Sequence, residues 1–180
     1  MNIQKKIEKH FNEKKFSRIT RKISKNWEVF SRGYIIAYSD SFIVIQETED
    51  FKLLGLNILP IKDIVKIRYN QHDKYYDEIM GWENEKEKIE LNPEVNLSSW
   101  KDVFESLQEK QKNIVVECES SKINSFTIGS IMNITNKSVH ILYFDAAGFL
   151  DKGPTKIKFK NISKVMFEDR YIDIFSKYLR

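Results

Sequence analysis

The sequence predicts an α+β protein that is a tandem duplication of one unit. In each unit a helix precedes four to five antiparallel strands, which form a curled sheet or small barrel, and a second helix follows. Three observations predict this: a repeat with an offset of 96 residues between Gly33 and Gly129, short segments rich in β-branched and aromatic residues after each glycine, and apolar residues at helical spacing on either side.

The repeat is visible in matched segments. Phe30-Ser31-Arg32-Gly33 returns as Phe126-Thr127-Ile128-Gly129, and the segment beginning at Asp73 returns at Asp169 with the same offset. This period is longer than the ~20 to 50 residues of solenoid repeats, so each copy is expected to be a small domain. The predicted units are residues 1–93 and 94–180, with the boundary after a run of Glu and Lys at Asn92-Pro93-Glu94.

Each unit is predicted to begin with a helix. In the first unit Ile3, Ile7 and Phe11 recur every four residues, which places them on one stripe of a helix over residues 2–14. In the second unit the apolar residues Val103, Phe104 and Leu107 follow two serines that are candidate caps, Ser98 and Ser99.

Strands are predicted where β-branched and aromatic residues concentrate. In the first unit these segments are 34–38, 42–48, 53–59 and 64–69; in the second they are 114–118, 126–134, 139–144, 155–159 and 162–167. Ser39-Asp40 and Asn136-Lys137 are typical of tight turns between antiparallel neighbours.

Each unit is predicted to end with a helix that Asp73 or Asp169 caps. The residues expected to face the sheet are aromatic or aliphatic and lie three or four apart: Tyr75, Ile79 and Trp82, and likewise Tyr171, Phe175 and Tyr178. Tyr75 and Tyr171 are therefore expected to be core aromatics with a hydroxyl at the surface.

A further pattern runs through both units: a glycine, an aliphatic residue, an acidic residue or its amide, an aliphatic strand and a second aliphatic set. Its positions are Gly33, Ile35, Asp40, Ile43, Ile45, Ile58, Ile64 and Ile67, and then Gly129, Ile131, Asn136, Val139, Ile141, Ile157, Ile162 and Val165. The pattern resembles that of Sm-like proteins, and other small SH3-like barrels share it. The resemblance implies a strongly bent barrel and RNA binding, although Pro60-Ile61 or Lys158-Phe159 stands near the place of the Sm Arg-Gly pair.

The composition indicates the cellular compartment and the kind of organism in which we expect this protein. Cys118 is the only cysteine, so no intramolecular disulfide is expected, and no apolar run approaches the length that spans a membrane. The amino terminus carries charges without the apolar stretch of a signal peptide. We therefore expect a cytoplasmic protein, and its Ile-, Lys- and Asn-rich composition suggests a bacterial source with an AT-rich genome.

Catalytic and metal-binding patterns are few. A Cys118–His140 dyad is the best nucleophile candidate, yet a lone cysteine is usually a small buried hydrophobe. His10, His72 and His140 are isolated from one another, and the chain contains neither a CxxC nor a glycine-rich phosphate-binding motif. We therefore expect no enzymatic activity, no cofactor, no metal and no small-molecule substrate.

Charge is uneven along the chain, and it predicts a protein partner. Residues 73–109 contain eleven acids and four bases, whereas residues 1–32 contain ten bases and three acids. An acidic surface suits a basic partner, and small bacterial proteins without motifs include immunity proteins that neutralise a toxin. The acidic residues predicted to bind protein are Asp77, Glu78, Glu83, Glu85 and Glu87.

The alternative is nucleic-acid binding through the basic stretch near the amino terminus, where Phe16, Trp27 and Phe30 are interleaved as stacking platforms. The spacing of these aromatics with Ile19 and Ile23 also fits an apolar face that enters the first sheet. The residues predicted to contact nucleic acid are Lys14, Lys15, Arg18, Arg21, Lys22, Lys25, Trp27 and Arg32.

Overall fold

The computed structural model describes residues 2–110 and 112–180, which form four α-helices and ten antiparallel strands. The predicted α+β class is confirmed. The chain divides into two compact units, of which unit 1 ends at Pro93 and unit 2 begins at Glu94.

Unit 1 contains a leading helix, five strands and a closing helix. In chain order they are α1 (Ile3–Asn12), β1 (Phe16–Ser24), β2 (Trp27–Tyr38), β3 (Phe42–Glu49), β4 (Lys52–Pro60), β5 (Ile64–Arg68) and α2 (Gln71–Trp82), with short 3-10 helices at Ile61–Asp63 and Lys86–Lys88. The strands lie in the order β5-β1-β2-β3-β4, and each contacts its neighbour in antiparallel register. The order is open, because β4 and β5 do not pair with each other.

The core of unit 1 forms where α1 covers one face of its sheet. Ile7 of α1 is fully buried, and it lies in a cluster with Ile19, Ile35, Ile43 and other strand aliphatics. Because side chains alternate along a strand, the inward position of Ile19 directs its neighbour Arg18 to the opposite face, where Arg18 is exposed. The aliphatic pattern of the sequence is therefore core material, and exposed polar residues such as Arg18 stand on the opposite face.

Unit 2 repeats this order of elements. They are α3 (Trp100–Glu109), β6 (Ile114–Glu119), β7 (Asn124–Ile134), β8 (Ser138–Tyr143), β9 (Thr155–Lys158), a 3-10 helix at Phe159–Asn161, β10 (Lys164–Phe167) and α4 (Arg170–Ser176). The strands lie in the order β10-β6-β7-β8-β9. This order is also open, since β9 and β10 do not pair with each other.

Helix α3 covers the core of unit 2 with the three apolar residues that its sequence predicted. Val103, Phe104 and Leu107 are buried, and the ring of Phe104 stacks on Phe159 with 5.6 Å between centroids. Ser99 is the N-cap of this helix, and its side chain accepts a hydrogen bond from the backbone N–H of Asp102. The contact with Phe104 holds the start of the 3-10 helix after β9 in place.

Several local predictions were wrong. Residues 16–24 and the first half of β2 form a long hairpin, although the sequence predicted strands only from Tyr34. The N-cap of α2 is Asn70, and Asp73 completes a capping box from the third helical position. The helical aromatics expected in the cores are exposed: Tyr75, Trp82, Tyr171 and Tyr178. Among the described residues, no helix combines the length and apolarity needed to cross a membrane.

Candidate binding surfaces

A groove on unit 2 is lined by four lysines, and we name it the lysine groove. One wall is the turn between β7 and β8, and the other is β9 with the 3-10 helix that follows it. The groove has a volume of about 870 Å³. Its lining residues are Thr135, Asn136, Lys137, Ser138, Lys156, Lys158, Phe159 and Lys160.

Strand alternation and pairing bring these lysines together. Lys156 and Lys158 flank the buried Ile157 in β9, so both point away from the core. Lys158 lies opposite Ser138 in the β8–β9 register, and the backbone N–H of Phe159 donates to the carbonyl of Lys137 at 2.9 Å. The hairpin turn and the end of β9 are thus held side by side, which gathers lysines far apart in sequence.

The charges in this groove are not neutralised by the protein. Lys137, Lys156, Lys158 and Lys160 are all exposed, and none forms an ion pair within the described residues. No carboxylate is among the residues that line the groove. By contrast, Lys164 on β10 pairs with the opposite Glu117 at 2.9 Å. Four ammonium groups beside one another repel, and a bound polyanion would relieve that repulsion.

A second surface lies on the outer face of unit 1, where three arginines occupy neighbouring strands. Arg18 of β1 lies opposite Arg32 of β2 on one side and opposite Arg68 of β5 on the other. We name the cavity beside them, of about 300 Å³, the arginine groove. Its lining residues are Arg18, Phe30, Ser31, Arg32, Glu47, Thr48, Glu49 and Leu54.

The two outer arginines of this row are paired with acids. Arg32 lies 3.3 Å from Glu49 and donates from Nε to the carbonyl of Thr48, and Arg68 binds Asp73 through two hydrogen bonds of 2.8 Å. Burial of the Asp73 carboxyl is the largest single influence on its pKa, and it acts to raise that pKa. The hydrogen bonds from the Arg68 guanidinium and the Asn70 N–H act in the opposite direction and together keep the pKa of Asp73 below its usual value. The central Arg18 has no ion-pair partner in the described part of the chain.

The remaining residues predicted to contact nucleic acid are dispersed. Arg21 is buried and points to the face opposite Arg18, and Lys14 and Lys15 lie between α1 and β1, where Lys15 forms an ion pair with Glu13. Lys22, Lys25 and Trp27 lie at or beside the tip of the β1–β2 hairpin. The structure therefore divides this set into separate groups, and the pair that it places on neighbouring strands of the sheet is Arg18 and Arg32.

The residues predicted to bind protein divide into two kinds. Asp77 is buried and accepts hydrogen bonds from the hydroxyls of Tyr34 and Tyr69, and Glu85 accepts from the backbone N–H of Leu53. The other three are exposed on or after α2: Glu78, Glu83 and Glu87.

The candidate dyad is not formed, because Cys118 lies on β6 and His140 on β8, with β7 between these strands. Cys118 is buried, and that burial raises the pKa of its thiol, which keeps it protonated. His10 is buried and bonded to the Ser17 hydroxyl at 2.8 Å, while His72 is exposed. Across residues 2–110 and 112–180, no group of three or more His, Cys, Asp or Glu side chains is arranged to hold a metal ion.

Comparison with known proteins identified no relative. No family model matches the chain, and neither a curated protein nor a solved structure shows significant similarity to it.

Proposed function

We propose that the chain is a non-enzymatic macromolecule-binding protein and that its lysine groove binds single-stranded nucleic acid. The observation that carries this proposal is a set of four exposed lysines that line one groove. Within the described residues these lysines have no ion-pair partner, and no carboxylate lines the groove with them. Phosphate diesters recur along a strand, and several ammonium groups gathered in one groove can contact them without demanding a base sequence.

The groove also offers polar groups beside its charges. The Asn136 side chain is exposed at the turn, and an amide can donate to a phosphate oxygen or pair with a base edge. The hydroxyls of Thr135 and Ser138 bond to each other at 2.8 Å, which stabilises the turn. The ring of Phe159 also lines the groove, where it is half-buried and stacks on Phe104.

We further propose that the two units are duplicated Sm-like modules. Each has a helix, five antiparallel strands in the same order and a helix, and each has a 3-10 turn before its last strand. The glycines that define the repeat occupy the same place in β2 and β7 and have nearly the same φ, 154° and 155°. RNA binding, which the Sm resemblance implies, agrees with the charge of the lysine groove.

The test is fluorescence anisotropy of a labelled random RNA pool, titrated with the full chain at low and at physiological salt. The variant is the triple substitution Lys156→Gln, Lys158→Gln and Lys160→Gln. We expect it to weaken binding roughly tenfold or more, because it removes charge-assisted hydrogen bonds to phosphate. The slope of log affinity against log salt should fall by roughly 2, since each lysine at a single strand contributes about 0.7.

The matched control removes three exposed lysines elsewhere: Lys52→Gln, Lys74→Gln and Lys177→Gln. Both variants have the same net charge, so a difference between them isolates the groove from general electrostatics. Circular dichroism would check that both are folded. Equal weakening by the two variants, or no RNA binding at low salt, would contradict the proposal.

A second candidate function is protein binding at the exposed face of α2. Tyr75 and Trp82 are 57% and 66% exposed and contact each other edge-to-face, and Glu78 lies on the same helical stripe. Exposed aromatics are typical of interface centres, and the acids would favour a basic partner such as a toxin. An immunity-type inhibitor would use this face to cover the toxin's active site.

This candidate predicts that the double variant Tyr75→Ala and Trp82→Ala loses its partner without losing its fold, because both side chains are largely exposed. Affinity capture from the source cells, with wild type and variant compared by mass spectrometry, would measure the loss. We expect a basic protein retained by the wild type and absent from the variant sample. Identical proteins in both samples would exclude this face as the interface.

A further inference from the structure

Helix α2 of unit 1 presents one face to solvent, and that face carries two large aromatic rings. Tyr75 and Trp82 are both largely exposed, and their rings meet edge-to-face with 6.2 Å between centroids. Glu78 is also exposed and lies on the same stripe, because residues three and four apart are neighbours on a helix surface. Large exposed aromatic side chains are typical of interaction surfaces.

The charge around this face is negative. From the start of α2 to residue 90 the chain contains seven acids and three bases. Two of the bases, Lys86 and Lys88, form ion pairs with acids of the same segment, whereas Lys74 forms none with a described residue. Four of the acids are exposed and form no ion pair within residues 2–110 and 112–180: Glu78, Glu83, Glu87 and Glu90. We name these four acids, together with Tyr75 and Trp82, the α2 surface.

The lysine groove of unit 2 offers the complementary groups. Its four lysines are exposed and no carboxylate lines it, whereas Glu47 and Glu49 line the arginine groove beside its arginines. An ammonium group binds a carboxylate by a charge-assisted hydrogen bond, and it binds the face of a Trp or Tyr ring by a cation–π contact. The α2 surface carries both kinds of acceptor. A helix face is convex and a groove is concave, which is the arrangement in which helices dock on partner proteins.

We propose that the lysine groove of one molecule binds the α2 surface of a second copy of this chain. Every molecule carries both surfaces, and the four unpaired lysines of one are matched by the four unpaired glutamates and two exposed rings of the other. The contact joins two different surfaces, so one copy can take part through both and association grows with concentration. It uses the same face of α2 as the second candidate function, with this chain in place of a foreign basic protein. A docked α2 surface would keep nucleic acid out of the groove, and this consequence, unlike the contact itself, rests on the proposed function.

The test is sedimentation velocity of the full chain over a range of concentrations, without nucleic acid, at low and at physiological salt. We expect association that increases with concentration and weakens with salt, because exposed charges drive it. The groove variant, Lys156→Glu with Lys158→Glu, should weaken association roughly tenfold or more, since like charges then face each other. Its matched control, Lys52→Glu with Lys177→Glu, has the same net charge and changes exposed lysines outside the groove, so association should stay close to that of the wild type.

The reciprocal helix variant is Glu78→Lys with Glu83→Lys, which should weaken association by a similar factor. Its matched control is Glu8→Lys with Glu109→Lys, at two exposed acids outside the α2 surface. Mixing the groove variant with the helix variant should restore association, because the intact α2 surface of the first then meets the intact groove of the second. Circular dichroism would check that all variants are folded.

The proposal is overturned if the full chain stays monomeric at every concentration at low salt. It is also overturned if a control weakens association as much as its surface variant does, or if the mixture of the two surface variants stays monomeric. Loss of RNA binding would contradict the proposed function alone, because this test contains no nucleic acid.

Discussion

Substitution Gly33→Ala is expected to destabilise unit 1 by about 4 kcal/mol or more, a loss at the extreme of single-residue effects. A Cβ at this position would lie 1.9 Å from the carbonyl oxygen of Gln46 on the neighbouring strand and 2.8 Å from its carbon. Both are backbone atoms of the β2–β3 ladder, so they can move apart only by breaking strand pairing. The φ of 154° adds strain for any residue with a side chain.

Gly129 in β7 provides an independent repeat of the same experiment. A Cβ there would lie 1.9 Å from the carbonyl oxygen of Leu142, so Gly129→Ala should destabilise unit 2 by a comparable amount. The matched control is Gly153→Ala, because a Cβ at Gly153 meets no atom within 4 Å. Urea unfolding followed by circular dichroism measures all three. A loss below about 1 kcal/mol at Gly33, near the average for point substitutions, would show that the strands can separate there.

These glycines show what the sequence could predict. A glycine inside a strand is typical of a close backbone approach or a bend, and the structure has the close approach at both Gly33 and Gly129. The aliphatic residues of the repeat are likewise buried in the cores, among them Ile35, Ile43 and Val139. Burial of this kind can be predicted, because the alternation of apolar and polar residues along a strand is visible in a single sequence.

The alternation of apolar and polar residues does not identify the β1–β2 hairpin. Phe16, Ile19 and Ile23 are spaced as on a helix, yet they lie in one strand. Phe16 and Ile19 lie on opposite faces of that strand, and both are buried. Phe16 packs against Tyr76 of α2, and Ile19 lies in the core under α1. A strand covered on both faces loses its period of two, so periodicity alone could not identify it.

The sequence did not predict the lysine groove either, although it contains part of the pattern that forms the groove. Lys156, Lys158 and Lys160 alternate with Ile157 and Phe159, a pattern of one charged face on a strand. Lys137 is distant in sequence, and only the β8–β9 register places it beside them. The absence of acids from the groove is a property of the assembled surface, which the overall charge of +4 does not reveal.

Substitution Asp77→Ala is expected to destabilise unit 1 by roughly 3 to 5 kcal/mol, the range for removing one partner of a buried ionic contact. The carboxylate accepts hydrogen bonds of 2.9 Å from both Tyr34 and Tyr69 and lies 2.8 Å from Nζ of Lys86. Burial, together with this carboxylate, raises the pKa of Tyr34 and of Tyr69, so both hydroxyls stay protonated as donors. Alanine would leave these three donors, and the backbone N–H of Phe16, without their acceptor.

Asp173 is the matched control, because it holds the corresponding position in α4 of unit 2 but is exposed. Asp173→Ala should cost less than about 1 kcal/mol, mainly its favourable interaction with the helix amino terminus. Asp77→Asn should fall between the two, since the amide keeps one acceptor while removing the charge that balances Lys86. Urea midpoints would measure this order. If Asp77→Ala were as mild as Asp173→Ala, the buried donors would not depend on this carboxylate, and that result would contradict the prediction.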